Sequence, residues 1–203
     1  MIKEFWHTLV IEKSYQFLQE LRKSFDFVLI GGWAIYFYTH GLKSKDIDII
    51  VSLETLGKLK QKFDVYKNER LRKYEIKIEG IDIDIYVPYW SDLGLSINKV
   101  TENTVSLEGF RLPSKEILLI LKLFVYSQRK ASLKGKKDLI DIISLLYFDN
   151  INWELLNHIL EDNNLLYLKD ELREILTSTT KIEELGINQK KFSDFKKKIA
   201  TKY

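Results

Sequence analysis

The chain has no cysteine, two prolines, one methionine and three histidines in 203 residues. Without cysteine there is no disulfide framework, no thiolate zinc site, no iron–sulfur cluster and no thiol nucleophile. His7, His40 and His158 are too widely spaced for an HExxH-type metal pair. No apolar run approaches the roughly 18 residues of a membrane span. Acids interrupt the first apolar stretch, MIKEFWHTLVIEK, which argues against a signal peptide. The expectation is a cytoplasmic protein with no membrane partner.

What is present is a globular composition, 45% hydrophobic and 30% charged, long enough to bury a core. The net charge of +3 is unevenly placed. Residues 1–112 carry 16 basic and 16 acidic side chains, and residues 113–203 carry 16 and 13. Lys122, Arg129, Lys130, Lys134, Lys136 and Lys137 fall in one stretch without an acid, a block that suits a phosphate-rich partner or a solvated helix end.

Periodicity divides the chain near Pro113. Before it, spacing predicts a helix over 5–25, a buried strand at Phe27–Ile30, a Gly31-Gly32 turn, and a short helix over 33–39. A strand at 46–51, a helix at 53–63, two alternating strands at 72–79 and 81–87, a loop over 88–98 and a hairpin turning at Glu108-Gly109 follow. After Pro113 the pattern is helical throughout, with segments at about 114–131, 137–148, 152–161, 165–178 and 189–199. The fold class is therefore α+β: a mixed sheet core over 1–112 with flanking helices, then a helical region over 113–203 that is expected to complete the cleft.

The chemistry-bearing stretch is Gly31-Gly32-Trp33-Ala34, thirteen further residues from Trp33 to Lys45, then Asp46-Ile47-Asp48-Ile49-Ile50. Alternation along a strand turns Asp46 and Asp48 to one side, roughly 6.5–7 Å apart at Cα. Two carboxylates held so can chelate a hard divalent cation such as magnesium or manganese. Bare glycine backbone at a helix start admits phosphate to the amides, where the helix dipole also favours an anion. Ile81-Asp82-Ile83-Asp84-Ile85 offers a further acid for a two-metal site, with Asp82 and Asp84 on one face and isoleucine on the other. Ser44 reads either as phosphate-facing or as a turn hydroxyl. The rings of Trp33, Tyr36 and Tyr38 read more readily as core than as a base-stacking surface.

GGWAIYFYTHGLKSKDIDIIV resembles the signature of the DNA polymerase β-like nucleotidyltransferase superfamily, an apolar residue and Gly-Gly or Gly-Ser, a helix, then Asp-apolar-Asp-apolar. Ser44-Lys45-Asp46-Ile47-Asp48-Ile49 is closest to its minimal prokaryotic branch, which includes AbiEii-type toxin nucleotidyltransferases. Lys122 and Lys137-Asp138-Leu139-Ile140-Asp141 stand where that branch carries a helical lysine and a Lys-Asp-x-x-Asp element. The resemblance spans about 26–148.

It implies transfer of a nucleoside monophosphate from a nucleoside triphosphate to an RNA, a protein hydroxyl or a small molecule, and a place in a toxin–antitoxin pair. Asp46, Asp48 and Asp84 would be catalytic and, with Asp82 as the alternative third ligand, would bind magnesium. Gly31, Gly32, Ser44 and Lys122 would hold the nucleotide. Asp84 is preferred to Asp82 because Ile85-Tyr86-Val87-Pro88 gives it the apolar strand exit that the superfamily shows. Two other functions are expected to compete: a catalytically silent module of the same fold, such as an antitoxin or complex subunit, and a nucleic-acid-binding protein using only the basic half.

Overall fold

The computed structural model describes residues 2–148 and 150–202, with side chains from Thr8 onward in the first helix. His7 lies outside the described side chains. Helix α1 (Ile2–Ser24) leads into strand β1 (Val28–Ile30), which passes directly into helix α2 (Gly31–Thr39). Strand β2 (Ile47–Ile50), helix α3 (Leu53–Lys62), and strands β3 (Tyr66–Asn68), β4 (Lys73–Ile78) and β5 (Ile81–Tyr86) follow. A short helix α4 (Ile97–Glu102) precedes the hairpin of β6 (Thr104–Leu107) and β7 (Phe110–Pro113). The rest is helical: α5 (Lys115–Arg129), α6 (Leu133–Phe148), α7 (Trp153–Asp162), α8 (Leu168–Ser178) and α9 (Gln189–Ala200), with one 3-10 turn at Glu183–Leu185. The fold is α+β, and the chain forms two compact units, Met1–Ser114 and Lys115–Tyr203.

The first unit is built on a five-stranded mixed sheet in the order β1-β2-β5-β4-β3. Only β2 and β5 run parallel; the other neighbours are antiparallel. The isoleucines explain why these two strands are central. Ile47, Ile49, Ile83 and Ile85 are all at 0% exposure, so one face of each strand is wholly in the core. α1 lies against β5, and α2 lies against β1 and β2. Trp33 is fully buried and its Nε1–H donates to Ser14 Oγ of α1 at 3.0 Å. Tyr38 donates to the Pro113 carbonyl at 2.9 Å. These rings are fold-forming, which leaves neither as a free surface for a base.

Local signals set most boundaries. Ser52 accepts the Thr55 N–H and starts α3, and Asn152 and Asn188 cap α7 and α9 in the same way. His40 ends α2 in the left-handed conformation, φ 49°. Glu108 and Gly109 both have positive φ, as a two-residue hairpin turn requires.

Four elements differ from expectation. Gly31 and Gly32 form the first turn of α2 and no separate loop. Strand β3 and helix α4 fall where no element was expected: β3 is a short polar edge strand paired to β4, and α4 is six residues behind a Ser96 cap. Helix α6 begins at Leu133, four residues early, so Asp138 and Asp141 sit inside it. They neither cap nor face water; both are buried.

Candidate active site

The sheet register brings two of the predicted carboxylates side by side. Asp48 on β2 is the direct partner of Asp84 on β5, so both side chains leave the same face, opposite the isoleucines. Across β4 the partner of Asp84 is Glu75, which extends the acidic row to three adjacent strands. Asp46 lies at the bend just before β2, with Lys45 Nζ 4.0 Å from its carboxylate. Asp82 is exposed and faces Lys77 across β4, one register step away from the Asp48–Asp84 pair.

Gly31 is where the first motif meets the second. Its φ is +68°, and a Cβ built there would lie 2.6 Å from the Asp48 carboxyl carbon. Glycine is thus required twice: for the left-handed backbone and for the space that the Asp48 carboxylate takes up at the head of α2. Gly32 is buried in the same turn, and Ser44 is 1% exposed ahead of β2.

Sequence reading missed Lys73. This residue at the start of β4 is 8% exposed, and its Nζ lies 2.5 Å from Asp84 Oδ2 and 3.1 Å from Glu75 Oε1. Burial opposes its charge, but the hydrogen bond and charge of Asp84, then those of Glu75, outweigh burial and hold its pKa above the ordinary lysine value. Burial likewise raises Glu75, yet Asn68 and Lys73 hydrogen bonds and lysine charges bring it below the usual carboxylate range. The only signal in the sequence was the alternation of Lys73, Glu75 and Lys77 on one strand face, which does not say which acid lies across the sheet.

Replacing Lys73 by Met removes the ammonium between Asp84 and Glu75, with an expected loss of about 3 kcal/mol at neutral pH. The sign with pH follows. Glu75, depressed in the folded state, contributes stability above the ordinary carboxylate range and loses it as pH falls through its folded value. Lys73, raised, contributes below the ordinary lysine value and loses it as pH rises through its folded value. The gap between parent and Lys73→Met should therefore be widest near neutrality and close as pH falls through the folded-state value of Glu75. Urea titrations across pH read it directly, and a pH-independent gap would show that charge is not its cause.

Lys122 belongs to the helical unit. Its ammonium lies 3.1 Å from Asp138 Oδ1 and 2.7 Å from Asp141 Oδ2, both carboxylates being 2% exposed. Arg129 adds a two-pronged contact to Asp138 at 2.7 and 3.1 Å. The basic block is further occupied by Lys130 on Glu171 and Glu174 and by Lys136 on Glu184.

Carboxylate oxygens are the donors that magnesium and manganese prefer, so the chemistry of Asp46, Asp48 and Asp84 fits such an ion. The side chains as they stand are not gathered for it. Among the described residues no three His, Asp or Glu groups form a metal-binding cluster, and Asp84 is turned onto Lys73.

A family of proteins described as "Nucleotidyltransferase of unknown function (DUF6036)" matches residues 8–190. The chain belongs to this nucleotidyltransferase family. Among solved structures, ANT(2'')-Ia in complex with adenylyl-2''-tobramycin shares the fold at a TM-score of 0.55 and 16% identity, over 77% of this chain and 98% of that one. JHP933 from Helicobacter pylori is similar at a TM-score of 0.50 and 15% identity, over 94% of this chain and 90% of that one. No curated protein matches by sequence. The family match supports nucleotidyl transfer in general, and the solved structures share the α+β fold. Among the described residues no helix is long and apolar enough to cross a membrane.

Proposed function

We propose that this nucleotidyltransferase moves a nucleoside monophosphate from a nucleoside triphosphate to a hydroxyl acceptor, with magnesium or manganese held by Asp46, Asp48 and Asp84. One observation carries the reading: Asp48 stands directly across the parallel strand pair from Asp84 while its carboxylate packs on Gly31 at the start of α2. Acids and a helix start are thus brought to one place, and a triphosphate with its cations needs both. When bound, the divalent ions supply charge neutralisation and activation of the acceptor hydroxyl. The chain's own part is to fix Asp48 by packing and to keep Asp84 oriented through Lys73. Gly31 and Gly32 present amides to the phosphates, with Ser44 as a further contact.

The acceptor is the open quantity: an RNA, a protein hydroxyl or a small molecule. The ANT(2'')-Ia complex holds adenylyl-2''-tobramycin, which makes hydroxylated small molecules one arm of the assay. The test is incubation with each labelled triphosphate and magnesium against total RNA, protein and small-molecule acceptors, with a chelator control. Label on an acceptor only with metal present supports the reading; metal-independent labelling or none with any triphosphate overturns it. Growth arrest on expression, relieved by a partner protein, tests the toxin–antitoxin role. The catalytically silent module is tested by the same assay, since it would bind triphosphate without labelling any acceptor.

Gly31→Ala is the sharpest single test of the packing. The added Cβ moves the Asp48 carboxylate, and a misplacement of about 1 Å costs about 10²-fold in rate. Strain at positive φ adds about 1–2 kcal/mol of instability. Steady-state kinetics and a thermal melt separate the two. Full activity in Gly31→Ala would remove Asp48 from the chemistry.

A further inference from the structure

The basic block expected to meet a polyanion is largely taken up by acids of its own unit, whereas the first unit carries a basic segment of its own. From Gly57 to Lys77 there are eight basic and three acidic residues, a local excess of five in a half whose charges cancel only as a whole. This segment is the latter part of α3, β3 and most of β4. On β4, Tyr74 leaves the sheet on the face opposite Lys73 and Glu75. Its ring lies 4.9 Å from that of Trp90. Lys60 Nζ sits 4.8 Å over Tyr74, and Lys67 Nζ sits 4.7 Å over Trp90. Two ammonium groups therefore flank two touching rings. Lys67 also pairs with Glu69 at 2.6 Å, an exposed contact that a stronger anion can replace. Beside them Tyr89 is 92% exposed and held at φ 65°, a backbone state unfavourable for a bulky side chain. On the other face of the edge strand, Tyr66, the partner of Glu75, is 60% exposed.

We infer that this edge of the sheet is a binding platform for single-stranded nucleic acid. Aromatic faces at the surface accept unstacked bases, and ammonium groups spaced between them accept phosphates; a duplex hides its base faces and offers only the second contact. Net positive charge and the interleaving of rings with lysines fit this ligand better than a protein partner, which would not call for an excess of five charges. The platform lies on the opposite sheet face from Asp48 and Asp84, so binding there does not depend on turnover.

Fluorescence anisotropy with a labelled 12-mer oligouridylate, without triphosphate or metal, tests it on the full chain. Oligothymidylate and a duplex of the same length are the comparison arms. The single strands should bind at low salt and the duplex at least about tenfold more weakly. Lys60→Glu/Lys67→Glu should weaken single-strand binding more than about tenfold and flatten its salt dependence by about two charges. Tyr89→Ala, a change at an exposed ring that leaves packing intact, should weaken it about five- to tenfold with little change in salt slope. Equal affinity for the duplex, or single-strand binding that neither variant weakens, overturns the platform. Failure of the labelled-triphosphate assay with this binding intact would instead count against the transfer reaction alone.

Discussion

Asp48→Asn is expected to lower the rate of nucleotidyl transfer by at least about 10³-fold at saturating triphosphate. The substitution keeps shape, so the packing on Gly31 and the pairing of β2 with β5 should survive. What it removes is one charge at the centre of the proposed site, flanked by Asp84 across the strand and by the head of α2. A metal carboxylate stabilises the transition state by several kcal/mol, and about 4 kcal/mol is a factor of about 10³ in rate. The loss should be in kcat and should not be rescued by more triphosphate, because a group needed only as charge develops does not act through ground-state binding. Stability should stay within about 1 kcal/mol of the parent or rise slightly, since one of a row of facing acids becomes neutral. Single-turnover kinetics with a urea titration on the same preparation reads both. A variant that keeps a tenth of the parent rate would show that Asp48 has no catalytic part.

Lys122→Ala should destabilise the helical unit by about 3–5 kcal/mol, more than most single substitutions. The lysine joins α5 to two carboxylates of α6 that are 2% exposed, and its removal leaves Asp141 without its ammonium and Asp138 with Arg129 alone. Uncompensated buried charge is the costly case; the intact pair is closer to neutral in its net contribution. Neutralising both sides should therefore recover much of the loss. Lys122→Met combined with Asp141→Asn is expected to be more stable than Lys122→Met alone by about 1–3 kcal/mol, a coupling that a double-mutant cycle in urea measures. Additive losses would mean that the ion pair is incidental. The prediction also sets how the nucleotide role of Lys122 must be tested. Activity lost in Lys122→Ala reports the fold as well as the site, so triphosphate binding has to be compared between Lys122→Met and the stabilised double variant.

Much of the architecture is legible because it is local. Alternation of isoleucine with charged residues marks β5, a serine before an amphipathic run starts α3, and Pro113 introduces the helical half. The elements that escaped have weak local signals. β3 has no apolar alternation and exists because β4 offers it an unpaired edge, and α4 is a single capped turn and a half. Helix α6 is capped by Ser132, whose Oγ accepts the Gly135 N–H at 3.0 Å, but Gly135 in its first turn hides the start from the sequence, and the helix buries Asp138 and Asp141.

The candidate site divides in the same way. Sequence alone determined that a Gly-Gly pair stands where a strand passes into a helix, that Asp46 and Asp48 lie on or beside one strand, that Asp82 and Asp84 share a strand face, and that the fold is α+β. These follow from chain periods of two and 3.6, which any short window contains. Only the tertiary structure decided that Asp84 rather than Asp82 stands across from Asp48, because a parallel pair joined through α3, β3 and β4 has a register that no local pattern specifies. It also decided that Lys73 reaches Asp84, and that Lys122 and Arg129 are engaged by buried aspartates. Charge pairing depends on which groups come within a few ångströms in a medium of low dielectric constant, and a linear count of charges records neither the distance nor the burial.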